Sequence, residues 1–195
     1  MLRNVQDPVC QCVDTGCAHV HPYDDVRTIA GQGTCALEFL QDCPGLDVIL
    51  APVGGGGLLA GATIVARALQ PAIKVIGCEP AGADDAQRSL RSGCLIPQTD
   101  PRTIADGLRT SLGNINFGII AQQVDDIVTV SEEGIVAAMR LAWETLKVVI
   151  EPSSAVVLAA ALERKVPLGE RTRVGAILSG GNLDLDRLPW HQPNK

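Results

Sequence analysis

Short aliphatic runs alternate with longer stretches of helical period along this chain. Leu46-Asp-Val-Ile-Leu-Ala-Pro-Val53, Ile73-Lys-Val-Ile-Gly-Cys78, Ile127-Val-Thr-Val130 and Arg173-Val-Gly-Ala-Ile-Leu178 are the aliphatic runs. Such runs suit strands buried on both faces. Ile135, Ala138, Met139, Ala142 and Leu146 recur at helical spacing, which predicts a helix from Glu132 to about Val149. Ser131 would cap it, with Glu132 and Glu133 at the positive end of its dipole. Leu58 to Leu69 reads as an Ala-rich helix stopped by Gln70-Pro71. Ala83 to Leu90 reads as a short helix, and Gly93 to Arg102 as a loop with two prolines. Ala155 to Leu162 reads as a further helix after a Glu151-Pro-Ser-Ser turn. Gly31 to Thr34 reads as a loop feeding a helix from Cys35 to Leu40, with Thr34 as its N-cap.

Strand, helix and strand over 46–78 make one βαβ unit, and such units build parallel sheets with right-handed crossovers. The predicted fold class is therefore α/β, a parallel twisted sheet with helices on both faces. Residues 1–20 show little periodicity and read as an irregular leader, 21–190 as one larger domain, and 191–195 as a tail. A chain of 195 residues and 20.5 kDa suits one domain.

Composition narrows the function classes. With 46% hydrophobic and 19% charged residues the chain can pack a core. A net charge of −6 and a pI near 5.0 argue against nucleic acid or an anionic membrane as partner. No apolar run approaches the ~18 residues of a membrane span, and Met1 to Val20 has no apolar signal-peptide core. The expected location is the cytoplasm. The seven cysteines are odd in number and scattered, which suits reduced thiols. Cys10, Cys12, Cys17, His19 and His21 crowd five possible metal ligands together, but C-x-C fits structural zinc spacing poorly.

Four consecutive glycines, Gly54 to Gly57, lie between a strand end and a helix start. Without Cβ atoms, successive N–H groups can turn toward one anion, and the helix from Leu58 adds its positive end. The pattern is a phosphate cradle. No Lys-Ser/Thr follows, so a Walker P-loop is excluded. Gly55-x-Gly57-x-x-Ala60 also fits a dinucleotide loop, with Glu79 as a ribose-binding acid about 20 residues on. On spacing alone, both remain open.

Six segments occur in order: Ala30-Gly-Gln-Gly-Thr34, Pro52-Val-Gly-Gly-Gly-Gly-Leu-Leu-Ala-Gly61, Glu79-Pro-x-x-Ala-Asp-Asp85, Ile104-Ala-Asp-Gly107, Glu151-Pro152 and Leu178-Ser-Gly-Gly-Asn182. Together they resemble serine racemase and the serine/threonine dehydratases, fold-type II pyridoxal-phosphate enzymes of tryptophan synthase beta-like architecture. The resemblance runs from His21 to about Leu188. It implies pyridoxal 5′-phosphate as cofactor, with Gly54, Gly55, Gly56, Gly57 and the Leu58 backbone around its phosphate. It places the Ser179 hydroxyl at the pyridine nitrogen and Glu151 near the ring. A hydroxyl there leaves the ring a weaker electron sink than a carboxylate would.

The resemblance also implies a divalent cation, Mg²⁺ or Ca²⁺, on Glu79, the Ala83 carbonyl and Asp85, a hard-oxygen set. Lys147 and Asn182 resemble positions of a nucleotide effector site. Tyr23 stands where serine racemase has a cofactor-contacting asparagine. The family's Ser-x-Lys-x-Arg-Gly-Ala segment, with its Schiff-base lysine, and its Ser-x-Gly-Asn-His-Gly loop do not occur, so the family fold is expected to be incomplete here. The implied whole enzyme is a homodimer that dehydrates or racemises a small hydroxy amino acid, serine or threonine. This chain alone is expected to be inactive. Two alternatives are a non-catalytic phosphate- or partner-binding remnant and a nicotinamide-dependent oxidoreductase.

Overall fold

A computed structural model describes residues 18–190. Four strands form one all-parallel sheet in the order β3-β2-β1-β4. They are β1 (Val48–Pro52), β2 (Lys74–Pro80), β3 (Asp126–Val130) and β4 (Val174–Ala176). The helices are α1 (Val26–Asp42), α2 (Gly57–Leu69), α3 (Asp85–Ser92), α4 (Asn114–Gln123), α5 (Glu132–Leu146) and α6 (Pro152–Leu162).

The two faces of the sheet explain the aliphatic runs. Val48 and Leu50 of β1, Ile76 and Cys78 of β2, and Val128 and Val130 of β3 pack with α5 and α6. Their alternate neighbours Ile49, Ala51, Val75 and Ile127 pack with α1, α2 and α4 on the other face. The strand interiors are thus mostly apolar, because successive residues serve opposite layers. The parallel sheet with helices on both faces is as the sequence predicts.

Four local expectations are corrected. Gly31 to Thr34 is not a loop but lies inside α1, which starts at Val26 under the cap of Asp25. Gly33 meets Gly61 of α2 at a packing seam: a Cβ at Gly61 would sit 2.5 Å from the Ile29 carbonyl oxygen and 2.6 Å from the Gly33 nitrogen. Thr34, placed mid-helix, turns its hydroxyl back to the Gly31 carbonyl. The helix expected to reach Val149 stops at Leu146, where Lys147 takes a left-handed conformation with φ 58°. Glu151-Pro-Ser-Ser is not a free turn, since Glu151 is the N-cap of α6 and Pro152 opens it, the position where a missing N–H costs least. The last strand is shorter than expected, Val174–Ala176. Cys10, Cys12 and Cys17 lie outside the described residues. Cys35, Cys43, Cys78 and Cys94 are free thiols. Among the described residues no helix is long and apolar enough to cross a membrane.

Candidate active site

The carboxyl end of β1 delivers the glycine loop. Val53 still bonds to the sheet through its N–H to the Cys78 carbonyl, 2.9 Å. Beyond it the backbone leaves the ladder. The N–H groups of Gly54, Gly55, Gly56, Gly57 and Leu58 meet no backbone acceptor among the described residues. Gly54 to Gly57 are buried. Buried, unpaired N–H groups are costly and rare, so a run of them marks a place built to receive an acceptor. Gly56 has φ +90° and caps α2, a conformation that suits glycine. A Cβ at Gly54 would lie 3.0 Å from Leu108 Cα, and one at Gly55 would lie 2.2 Å from Tyr23 Cγ. The loop can therefore hold only glycine at these points.

The loop forms one wall of a cavity of about 220 Å³. Glu151, Ser153, Ser179, Gly107 and Thr110 line the same cavity. All seven residues expected at the cofactor, Gly54 to Leu58 with Glu151 and Ser179, line this one cavity. Glu151 is aimed by its neighbours: its Oε2 accepts the Asn182 N–H at 2.8 Å, and Gly180 lets it approach. Ser153 Oγ accepts the Gly107 N–H at 3.1 Å, tying the Ile104–Gly107 segment to the first turn of α6.

Sequence reasoning missed Gln32, Thr110 and Ser153 as lining residues. It also missed Asp24, whose carboxylate accepts the N–H groups of Asn114 and Ile115 at 3.0 and 2.9 Å and so caps α4. The flanking quoted segments, Ile104–Gly107 and Glu151-Pro152, were the available signal for Thr110 and Ser153. For Asp24 there was none. Lys147 is exposed and bonds its own helix end at the Glu144 carbonyl. Asn182 meets Glu151 through its backbone. Neither lines the cavity.

A second polar cluster lies at the end of β2. Glu79, 1% exposed, accepts the Gln87 N–H at 2.8 Å through Oε1. Asp85, equally buried, accepts the Leu112 N–H at 2.8 Å through Oδ2 and the Gln98 side chain at 3.3 Å through Oδ1. Burial pushes the Glu79 carboxyl up to about 8, opposed by the Gln87 N–H and reinforced by the Asp85 charge. Burial also raises Asp85. No cationic side chain pairs with either carboxylate among the described residues. No backbone N–H among them reaches the Ala83 carbonyl, because Gln87, its ordinary helical partner, is diverted to Glu79. Two buried carboxylates and a free carbonyl fit a hard cation. Glu79 is thus unavailable as a ribose-binding acid, and the dinucleotide reading loses its second support.

A family model described as "Pyridoxal-phosphate dependent enzyme" matches residues 5–180. The chain belongs to this family. It is 46% identical over 178 residues to a beta-hydroxyaspartate dehydratase of Paracoccus denitrificans, covering 91% of this chain and 56% of that protein. It is 48% identical over 175 residues to a serine racemase of Dictyostelium discoideum, covering 88% of this chain and 54% of that one. The crystal structure of the Dictyostelium racemase superposes with a TM-score of 0.88, covering 95% of this chain and 60% of the other. The chain spans about half the length of the curated relatives it matches. This pyridoxal-phosphate-family chain thus carries the fold-type II architecture that its motifs implied. The cofactor fits on physical grounds, since five unpaired N–H groups at a cavity wall suit a phosphate.

Proposed function

We propose that this chain forms the phosphate-holding body of a pyridoxal-phosphate-dependent enzyme acting on small hydroxy amino acids, by loss of the β-hydroxyl or by inversion at the α-carbon. The observation that carries this reading is the run of unpaired N–H groups, Gly54 to Leu58, lining one cavity together with Ser179 and Glu151. When bound, the cofactor supplies the electron sink that makes an α-proton removable. The chain's own residues bind and orient. The glycine N–H groups and the α2 terminus hold the phosphate. The Ser179 hydroxyl, which lines the cavity, would meet the pyridine nitrogen and, being neutral, would not force a proton onto it. Glu151, held by the Asn182 N–H, sets negative potential beside the ring. Glu79, the Ala83 carbonyl and Asp85 hold Mg²⁺ or Ca²⁺ away from the cavity.

The substrate class is taken from the relatives named as a serine racemase and a beta-hydroxyaspartate dehydratase. The chain's lysines are Lys74, Lys147, Lys165 and Lys195, none of them in a Ser-x-Lys-x-Arg-Gly-Ala segment, and among the described residues no lysine lines the cavity. A covalent imine and the proton transfer that a lysine would perform are therefore not supplied by this chain. The test is a titration of the purified protein with pyridoxal 5′-phosphate, followed by assay with L-serine. The expected result is saturable, borohydride-insensitive binding with no pyruvate. Absence of binding, or pyruvate formation by the chain alone, would overturn the reading.

A further inference from the structure

We propose that Asn116 is the positioning residue of the glycine loop, fixing the direction of the Gly55–Gly56 peptide so that its N–H faces a phosphate. This rests on the reading of the loop as a phosphate cup. Asn116 sits in the first turn of α4, is fully buried and does not line the cavity. Its Nδ2 donates to the Gly55 carbonyl at 2.7 Å and to the Tyr23 carbonyl at 2.9 Å. The Gly113 N–H also donates to the Gly55 carbonyl, at 3.1 Å. A reversed amide would set Oδ1 against two carbonyl oxygens, so the assignment of Nδ2 follows from the partners.

A trans peptide is planar, with its C=O and N–H pointing opposite ways. Holding the Gly55 oxygen toward α4 therefore turns the Gly56 N–H away from α4, on the side of the cavity. Glycines flank this peptide on both sides, so little intrinsic preference stops it rotating. A rotated peptide would present a carbonyl oxygen to a phosphate and repel it. The two bonds to Gly55 oppose that rotation, and the third ties the same clamp to the Tyr23 segment that packs on Gly55.

A second observation separates this role from plain stability. Asn116 Oδ1 has no partner among the described residues. A buried acceptor left unpaired is destabilising. The site keeps an amide for its two donors at that cost.

The test compares the dissociation constants of pyridoxal 5′-phosphate and of pyridoxal, which lacks the phosphate, for the full chain and for Asn116→Asp and Asn116→Leu. Thermal melting reports folding of each variant. The unsubstituted chain should prefer the phosphorylated ligand at least tenfold. Both variants should lose most of that preference, while pyridoxal affinity changes less than twofold. Asn116→Leu removes the unpaired oxygen together with both donors, and its folded fraction is read from the melting curve before its affinities are compared. A measurement that needs no variant is the Gly56 amide resonance, which should move with the phosphorylated ligand and not with pyridoxal. Equal weakening of both ligands, retained preference in the variants, or an unmoved Gly56 amide would overturn the clamp and leave the cup standing. No preference in the unsubstituted chain would overturn both.

Discussion

β1 and β2 lie side by side in one parallel sheet, yet their carboxyl ends are built for opposite charges. β1 runs into glycines whose N–H groups have no acceptor in the backbone. β2 runs into Glu79 and a short turn to Asp85, carboxylates with no cationic partner among the described residues. Topology supplies the place, since strand ends of a parallel sheet form a common crevice. Side chains supply the sign. Removing every Cβ exposes donors, whereas placing two buried carboxylates concentrates acceptors. The proposed anion site depends on backbone conformation and the proposed cation site on desolvated charge, so different perturbations should break them.

The largest expected effect is at the backbone site. Gly56→Ala would place a methyl 2.5 Å from Leu112 Cδ1 in a backbone with φ +90°. Strain of about 1–3 kcal/mol is expected, with pyridoxal 5′-phosphate affinity reduced about 10- to 100-fold by calorimetry. Cation binding at β2 should survive in any folded fraction.

Next is the charged site. Glu79→Gln should abolish the rise in melting temperature produced by Mg²⁺ or Ca²⁺ and leave the preference for a phosphorylated ligand intact. The same residue gives a pH test. Its carboxyl is raised in the folded chain to about 8, above its unfolded value of 4.5, so the protonated form is the one that folding favours. Without added cation, this contribution to stability is complete below about pH 4.5 and is lost as pH rises toward 8. Melting curves from pH 5 to 9 should show that decline, and Glu79→Gln should flatten it.

The smallest effect is at Ser179. Ser179→Ala removes one exposed hydroxyl, and a single hydrogen bond is worth about 1 kcal/mol. Cofactor affinity should fall by about fivefold, with the absorption band of the bound cofactor shifted. An unchanged spectrum would separate Ser179 from the ring.

These regions differed in legibility as well. The strands were readable because each buries both faces, so Val48–Pro52 and Lys74–Pro80 carry little polar interruption. The cup was readable because glycine repeated four times has few other uses. Gly31 and Gly33 misled for the same reason: they look like loop residues, but both lie inside α1, where Gly33 lets α2 approach within backbone contact and Gly31 faces open space. α4 was not readable at all. Its cap is Asp24, ninety residues upstream of Asn114, and its key residue Asn116 acts on Gly55 across sixty-one. Local periodicity carries no trace of such long-range bonds. The diverted Gln87 N–H, which frees the Ala83 carbonyl, was equally invisible without coordinates.

The most direct test of the two-site account is an amide resonance map of the chain titrated first with pyridoxal 5′-phosphate and then with Mg²⁺. The account predicts that the first ligand moves the Gly54 to Leu58 amides and leaves Gln87 in place. The second should move Gln87 and Leu112, whose N–H groups bond Glu79 and Asp85. Movement of Gln87 and Leu112 by the cofactor, with Gly54 to Leu58 unmoved, would contradict it.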